Sequence, residues 1–115
     1  DAIVPSGTGI PAVDAADRRG MEAVFGERLA SIPLIFPVSI VGLCGAGIGA
    51  VSLALAAKAL EAQRLPARVN VDSIDGLDAA AAPARDADLR SILVFTTSLG
   101  GQSAAVVLTR LEESA

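Results

Sequence analysis

The chain contains no histidine. The commonest general base and the commonest metal ligand are therefore both missing. There is one cysteine, Cys44, which excludes an internal disulfide and any paired-cysteine metal site. Cys44 stands in an uncharged stretch, with no base or cation visible to activate it, and reads as a small buried core residue. No metal and no cofactor are expected. Tryptophan and tyrosine are absent and aromatics make up 3% of the residues, so a core must be aliphatic and alanine-rich. Nine Lys and Arg stand against thirteen Asp and Glu, for a net charge of −4. That balance argues against nucleic acid, which demands a basic face.

What is there is apolar. Hydrophobic residues make up 52% of 115, which fits one small domain or part of a larger one. The first residue is Asp1 rather than Met, which reads as a processed or excised segment. From Leu29 to Ala57 there is no charged residue, a run long enough to span a bilayer. Pro33 and Pro37 interrupt its first half, and Gly42, Gly45, Gly47 and Gly49 crowd its middle. It reads as a buried strand, a turn and a helix, and no membrane span is expected. The N-terminus has no signal-peptide layout, and a cytoplasmic location is expected.

Residues 1–5 read as a short strand ending at the glycine turn "SGTG". Pro11 suits a first helical turn, and Asp14 and Asp17 lie near the positive end of the helix dipole. The helix, 14–25, stops at Gly26. A strand over 34–41 and a helix over 46–64 follow. In that helix Ile48, Val51, Leu53, Leu55 and Leu60 point around most of the circumference, and its first charge is Lys58. A helix apolar all round is buried on several sides. So short a chain can hardly cover it alone. We expect a missing half or a partner against it, and residues 1–115 by themselves are not expected to form a stable soluble monomer. Residues 71–90 are acidic and proline-interrupted and read as an exposed connection. "ILVFTTSL" and "SAAVVLTRL" read as strands joined by a tight turn at Gly100, Gly101 and Gln102. The "EESA" tail is expected to fray.

The glycine cluster "VGLCGAGIGA" has two readings. Gly45, Gly47 and Ala50 satisfy G-x-G-x-x-[G/A], and Asp72, 27 residues beyond Gly45, could stand as a ribose-binding acid. That is the outline of a dinucleotide-binding βαβ unit. Small residues there could equally let the helix pack close to neighbouring backbone.

Four segments in order carry a different likeness: "SGTGIPAVDAAD", "VSIVGLCGAGIGAVSLALAAKAL", "RLPARVN" and "FTTSLGGQSAAVVL". They resemble, in turn, the His-Gly-Thr-Gly-Thr-Pro turn with its acidic helix, the Lys-x-x-x-Gly-His segment with its buried helix, the Leu-Pro-Pro-x-x-Asn motif and the closing Asn-Ser-Phe-Gly-Phe-Gly-Gly hairpin. These belong to the C-terminal half of the β-ketoacyl-acyl-carrier-protein synthases, condensing enzymes of the thiolase superfamily. The resemblance implies an α/β fold, half of a thiolase-like layered arrangement: a mixed sheet on a buried central helix, with helix 14–25 outside.

The resemblance also puts the family's two catalytic histidines at Ser6 and Leu43, its lysine at Val38 and that lysine's acidic partner at Asp17. The two loop phenylalanines fall at Thr97 and Leu99. Gly7, Gly9, Pro11, Asp14, Gly42, Gly49, Pro66, Asn70, Gly100 and Gly101 match as structural positions. Thr8, Thr97, Leu99 and Gly100 are implied substrate-pocket residues. The nucleophilic cysteine belongs to the other half, and Cys44 is not that residue.

Decarboxylative condensation needs a thiolate and hydrogen-bond donors for the developing enolate. Serine can donate one bond; leucine and valine donate none. No catalytic residue is therefore expected in the chain, and Ser6 reads as a turn residue bonding local backbone. The implied protein is a non-condensing, chain-length-factor-like subunit or fragment of fatty-acid or polyketide biosynthesis that shapes an acyl pocket, with Leu43 facing it. Its implied partners are the N-terminal ketosynthase half or an active ketosynthase subunit, and acyl carrier protein. The C-terminal part of an active condensing enzyme with unusual catalytic residues remains an alternative, as does the dinucleotide-binding module.

Overall fold

A computed structural model of the chain describes residues 1–98 and 100–112. Strand β1 (Ala2–Val4) runs parallel to β4 (Ser91–Thr97), and β4 pairs antiparallel with β5 (Ser103–Thr109). The sheet order is β1-β4-β5, so the sheet is mixed, as expected. Successive strand residues point to opposite faces, and both faces are apolar. Ala2, Val4, Ile92 and Val94 meet Ala56, Ala59 and Leu60 of helix α3 (Ile48–Ala62) on one side. Ile3, Leu93 and Phe95 meet Met21, Leu29, Leu34 and Phe36 on the other. Helix α1 (Pro11–Phe25) supplies Met21 to this second layer.

Helix α1 begins at Pro11, whose missing amide costs nothing in a first turn, and closes at Gly26 in a left-handed conformation (φ 55°) with its N–H on the Glu22 carbonyl. A 3-10 turn, Gly26–Ser31, follows. The β4–β5 hairpin also forms as read. Ser98 N–H donates to the Gln102 carbonyl (2.8 Å) and Gly101 N–H to the Ser98 carbonyl (3.0 Å). The expectation for the "EESA" tail falls largely on residues 113–115, outside the described residues.

Residues 34–41 do not form the expected strand. Leu34 makes one parallel bridge to Ile3, and the pairing is limited to Ile3 N–H on the Pro33 carbonyl and Ile35 N–H on the Ile3 carbonyl. Pro33 and Pro37 have no amide to give a ladder. Pro37 instead opens a short helix α2 (Val38–Val41), which Gly42 ends at φ 78°.

The long helix starts at Ile48, after a 3-10 turn at Gly45–Gly47, and ends at Ala62. Gln63 terminates it in a left-handed conformation. Its side chain bonds the Leu60 carbonyl and both the N–H and the carbonyl of Leu89. The expected burial on several sides is not met within the chain. Only Ser52, Ala56, Ala59 and Leu60 are buried, while Ala50, Ala54 and Ala57 are exposed. The 18-residue run Gly45–Ala62 is apolar and long enough to cross a bilayer by length and composition. One side of it, however, lies against the sheet.

The connection after α3 is more ordered than expected. Strands β2 (Arg64–Leu65) and β3 (Arg85–Asp86) pair antiparallel. Between them the buried Arg68 donates to the carbonyls of Leu34, Asp78 and Ala80 and pairs with the Asp78 carboxylate at 2.7 Å. That pins Ala79 into the core. A buried guanidinium satisfied on three backbone oxygens and one carboxylate is expensive to disturb, because polar groups orphaned inside the fold lose compensation for their burial.

Burial opposes ionisation of Asp78, yet hydrogen bonding and charge from Arg68, then Arg85, outweigh it and hold the carboxyl below the usual range. A lowered folded-state pKa stabilises above the unfolded value of about 3.9 and is lost as pH falls through the folded value. Asp78→Asn should therefore lower stability near neutral pH and flatten its decline between about pH 5 and the acid limit. Denaturant midpoints of the full-length protein against pH, for both forms, check this.

Candidate functional site

The glycine turn that ends β1 is held from α1. Gly7 adopts φ 53°, which strains any larger residue, and a Cβ there would press on the Phe36 ring at 3.0 Å. Gly9 is also left-handed, at φ 79°. The Asp14 carboxylate accepts the Thr8 N–H (3.0 Å), the Thr8 hydroxyl (3.1 Å) and the Gly9 N–H (3.0 Å). The Thr8 hydroxyl oxygen in turn accepts the Ile10 N–H. Asp14 thus ties three donors of the turn to the first turn of α1, where the helix dipole favours a negative charge.

One turn further along, Asp17 reaches deeper. It accepts the Ser6 N–H at 3.2 Å and the Thr97 hydroxyl at 3.2 Å. The Ser6 hydroxyl lies 3.3 Å from the Thr97 hydroxyl and accepts the Thr97 N–H at 3.3 Å. With Thr97 donating to Asp17, Ser6 donates to Thr97, and the circuit closes. Ser6 is 8% exposed and Asp17 7%, whereas Thr97 at the end of β4 is exposed, so the Ser6–Asp17 bond is buried and the bonds to Thr97 are partly so. Burial raises the Asp17 carboxyl above its usual range; bonds from Ser6 and Thr97 oppose the rise, and the Asp14 charge adds to it.

Beside this network, on the α1 side of the sheet, lies a cavity of about 600 Å³ whose walls include Thr8, Asp17, Met21, Phe36, Val38 and Leu77. The structure thus brings Ser6, Asp17 and Thr97 into one network, and Thr8 and Val38 onto one cavity. It does not bring Leu43 there: that side chain is 57% exposed after α2 and is absent from the cavity wall. Gly100 is exposed in the hairpin loop, and Leu99 lies outside the described residues.

Two further expectations are corrected. Cys44 is exposed, not buried, because the glycines around it carry the chain away from the core. The dinucleotide reading needs a strand directly before the glycines, but residues 38–41 are helical. Asp72 sits in irregular backbone on the cavity wall, not at the end of a second strand. Among the described residues no cluster of three metal-binding side chains occurs.

Asn70, a motif match with no assigned task, adopts φ 58° and donates from its side-chain amide to the Ser39 carbonyl (3.1 Å). It thereby fastens the connection after α3 to the segment that carries Val38. Reasoning on the sequence missed the circuit because its members lie 91 residues apart in the chain.

Residues 1–72 match the family model for the β-ketoacyl synthase C-terminal domain. The chain belongs to this family. The matched residues run from β1 past Asn70 and contain Asp14, Asp17 and the glycine cluster. The chain is also 32% identical over 110 residues to the "Granaticin polyketide putative beta-ketoacyl synthase 2" of Streptomyces violaceoruber. That alignment takes in 93% of this chain and 26% of the relative, so the chain spans about a quarter of that ketosynthase relative's length.

The site yields a graded expectation for Asp17. Asp17→Ala leaves the buried Ser6 N–H without an acceptor, which should cost about 1–3 kcal/mol. Asp17→Asn keeps an oxygen for the Ser6 N–H and an amine for the Thr97 oxygen, and should cost clearly less. Chemical denaturation of the full-length protein and the two variants measures the order.

Proposed function

We propose that the chain is the C-terminal part of a polyketide-type β-ketoacyl synthase homologue that does not itself condense acyl units. In this reading it acts like a chain-length factor, paired with an active ketosynthase and lining the pocket of the growing acyl chain. The observation that carries it is the closed Ser6–Thr97–Asp17 circuit in a chain without histidine. At the position the family gives to a catalytic histidine, the hydroxyl is spent inside the fold. Val38 supplies no cation beside Asp17, and Leu43 supplies no donor. Each lost preorganised donor costs roughly 100- to 1000-fold in rate, so a site short of two histidines and a lysine retains no useful condensing power.

The open side of α3 and the exposed segment that follows α2 support the partner half of the reading. Ile40, Val41 and Leu43 are each more than half exposed, and the exposed alanines of α3, Ala50, Ala54 and Ala57, follow them in the chain. Exposed apolar surface of this kind marks an interface. In a thiolase-like arrangement the N-terminal ketosynthase half covers it, which would bring Leu43 against a pocket wall built from elsewhere. Acyl carrier protein is then the partner that delivers the chain.

The test uses the full-length protein, purified free of any other ketosynthase, with malonyl-carrier protein and an acyl donor. No β-ketoacyl product is expected. Product formed by the protein alone would favour the alternative, a condensing enzyme with unusual catalytic residues.

A further inference from the structure

The Ser6–Thr97–Asp17 circuit continues the contact between β1 and β4 past the end of their pairing and ties it to α1. Ser6 follows β1, Asp17 stands in α1, and Thr97 is the last residue of β4, directly before the hairpin loop. Beyond Val4 the register between β1 and β4 ends at Val94. From there β4 stays paired with β5 through Thr97, and its contact with the exit of β1 is made through side chains: the Thr97 N–H turns to the Ser6 hydroxyl and the Thr97 hydroxyl to Asp17.

We propose that Ser6, Thr97 and Asp17 form a latch that holds the base of the β4–β5 hairpin loop against the glycine turn and so fixes the position of both loops at the site. This deepens the reading of position 6 given above: the serine serves the fold in place of a reaction. The circuit is anchored at its buried end, where Ser6 and Asp17 are screened from water and a hydrogen bond has less competition, and it reaches from there to the exposed Thr97. It also explains the residue types. Thr97 uses both its N–H and its hydroxyl, and only a small hydroxyl at position 6 can accept the one and donate to the other. Asp14 contributes separately, holding Thr8 and Gly9. The latch can therefore open without dissolving the turn.

Amide hydrogen exchange in the full-length protein reads the latch directly. Ser6→Ala and Thr97→Val should each speed exchange at Ser98 and Gly101, in the hairpin loop, by roughly 2- to 10-fold, the equilibrium weight of one ordinary hydrogen bond. The Gly9 amide, held by Asp14, should keep its native rate. The double variant should fall short of the product of the two single effects, because both changes open one circuit. Thr97→Ser, which retains the hydroxyl, should exchange like the native protein. Unchanged rates at Ser98 and Gly101 in both single variants, or effects that multiply fully, would overturn the latch. The outcome is independent of the activity assay: condensation by the protein would refute the silent reading and leave the exchange pattern standing.

Discussion

Two carboxylates three residues apart on α1 hold the site together. Residues at that spacing share a helix face, and this face looks at the end of β1. Asp14 gathers the donors of the glycine turn, and Asp17 gathers Ser6 and Thr97. The helix start, the exit of β1 and the exit of β4 are thereby fixed to one another. Packing sets the layers: Met21 and Leu29 sit under the sheet on one face, and Ala56, Ala59 and Leu60 on the other. But packing is tolerant of small shifts, and the polar contacts are what set the loops.

The two carboxylates also explain how a site can keep its shape after losing its chemistry. The turn needs left-handed glycines at 7 and 9 and an anion at 14, and all three are present. None of these depends on the residue at position 6 being an acid, a base or a nucleophile. Ser6 fills its place by closing a circuit with its neighbours. Val38, on the same cavity as Asp17, leaves that carboxylate without a cation partner there. Burial raises the Asp17 carboxyl above its usual range, and the hydrogen bonds from Ser6 and Thr97, not a cation, oppose that rise.

Much of this was legible in the sequence, and the limits have physical causes. Pro11 and Gly26 bound α1 because one lacks a donor and the other tolerates a left-handed backbone. Gly101, left-handed at φ 86°, marks the hairpin in the same way. The stretch 34–41 misled because its aliphatic residues look like a strand, whereas Pro37 decides for a helical turn. The all-round apolarity of α3 suggests burial on several sides, yet within these residues only the side carrying Ser52, Ala56, Ala59 and Leu60 is buried. Arg68 gave no signal, since a lone arginine among prolines and alanines has no periodicity. The Ser6–Thr97 contact could be reached only through the family resemblance, which had singled out both positions without linking them.

The central claim is that Asp17 is a buried anchor whose partners are Ser6 and Thr97. The measurement that meets it most directly is a pH titration of the Asp17 side-chain carboxyl by carbon NMR in selectively labelled full-length protein. The account predicts a midpoint above the ordinary aspartate value of about 3.9, with the Ser6 and Thr97 amide signals shifting through the same midpoint. A midpoint at or below the ordinary value, with those two amides indifferent to it, would contradict the account.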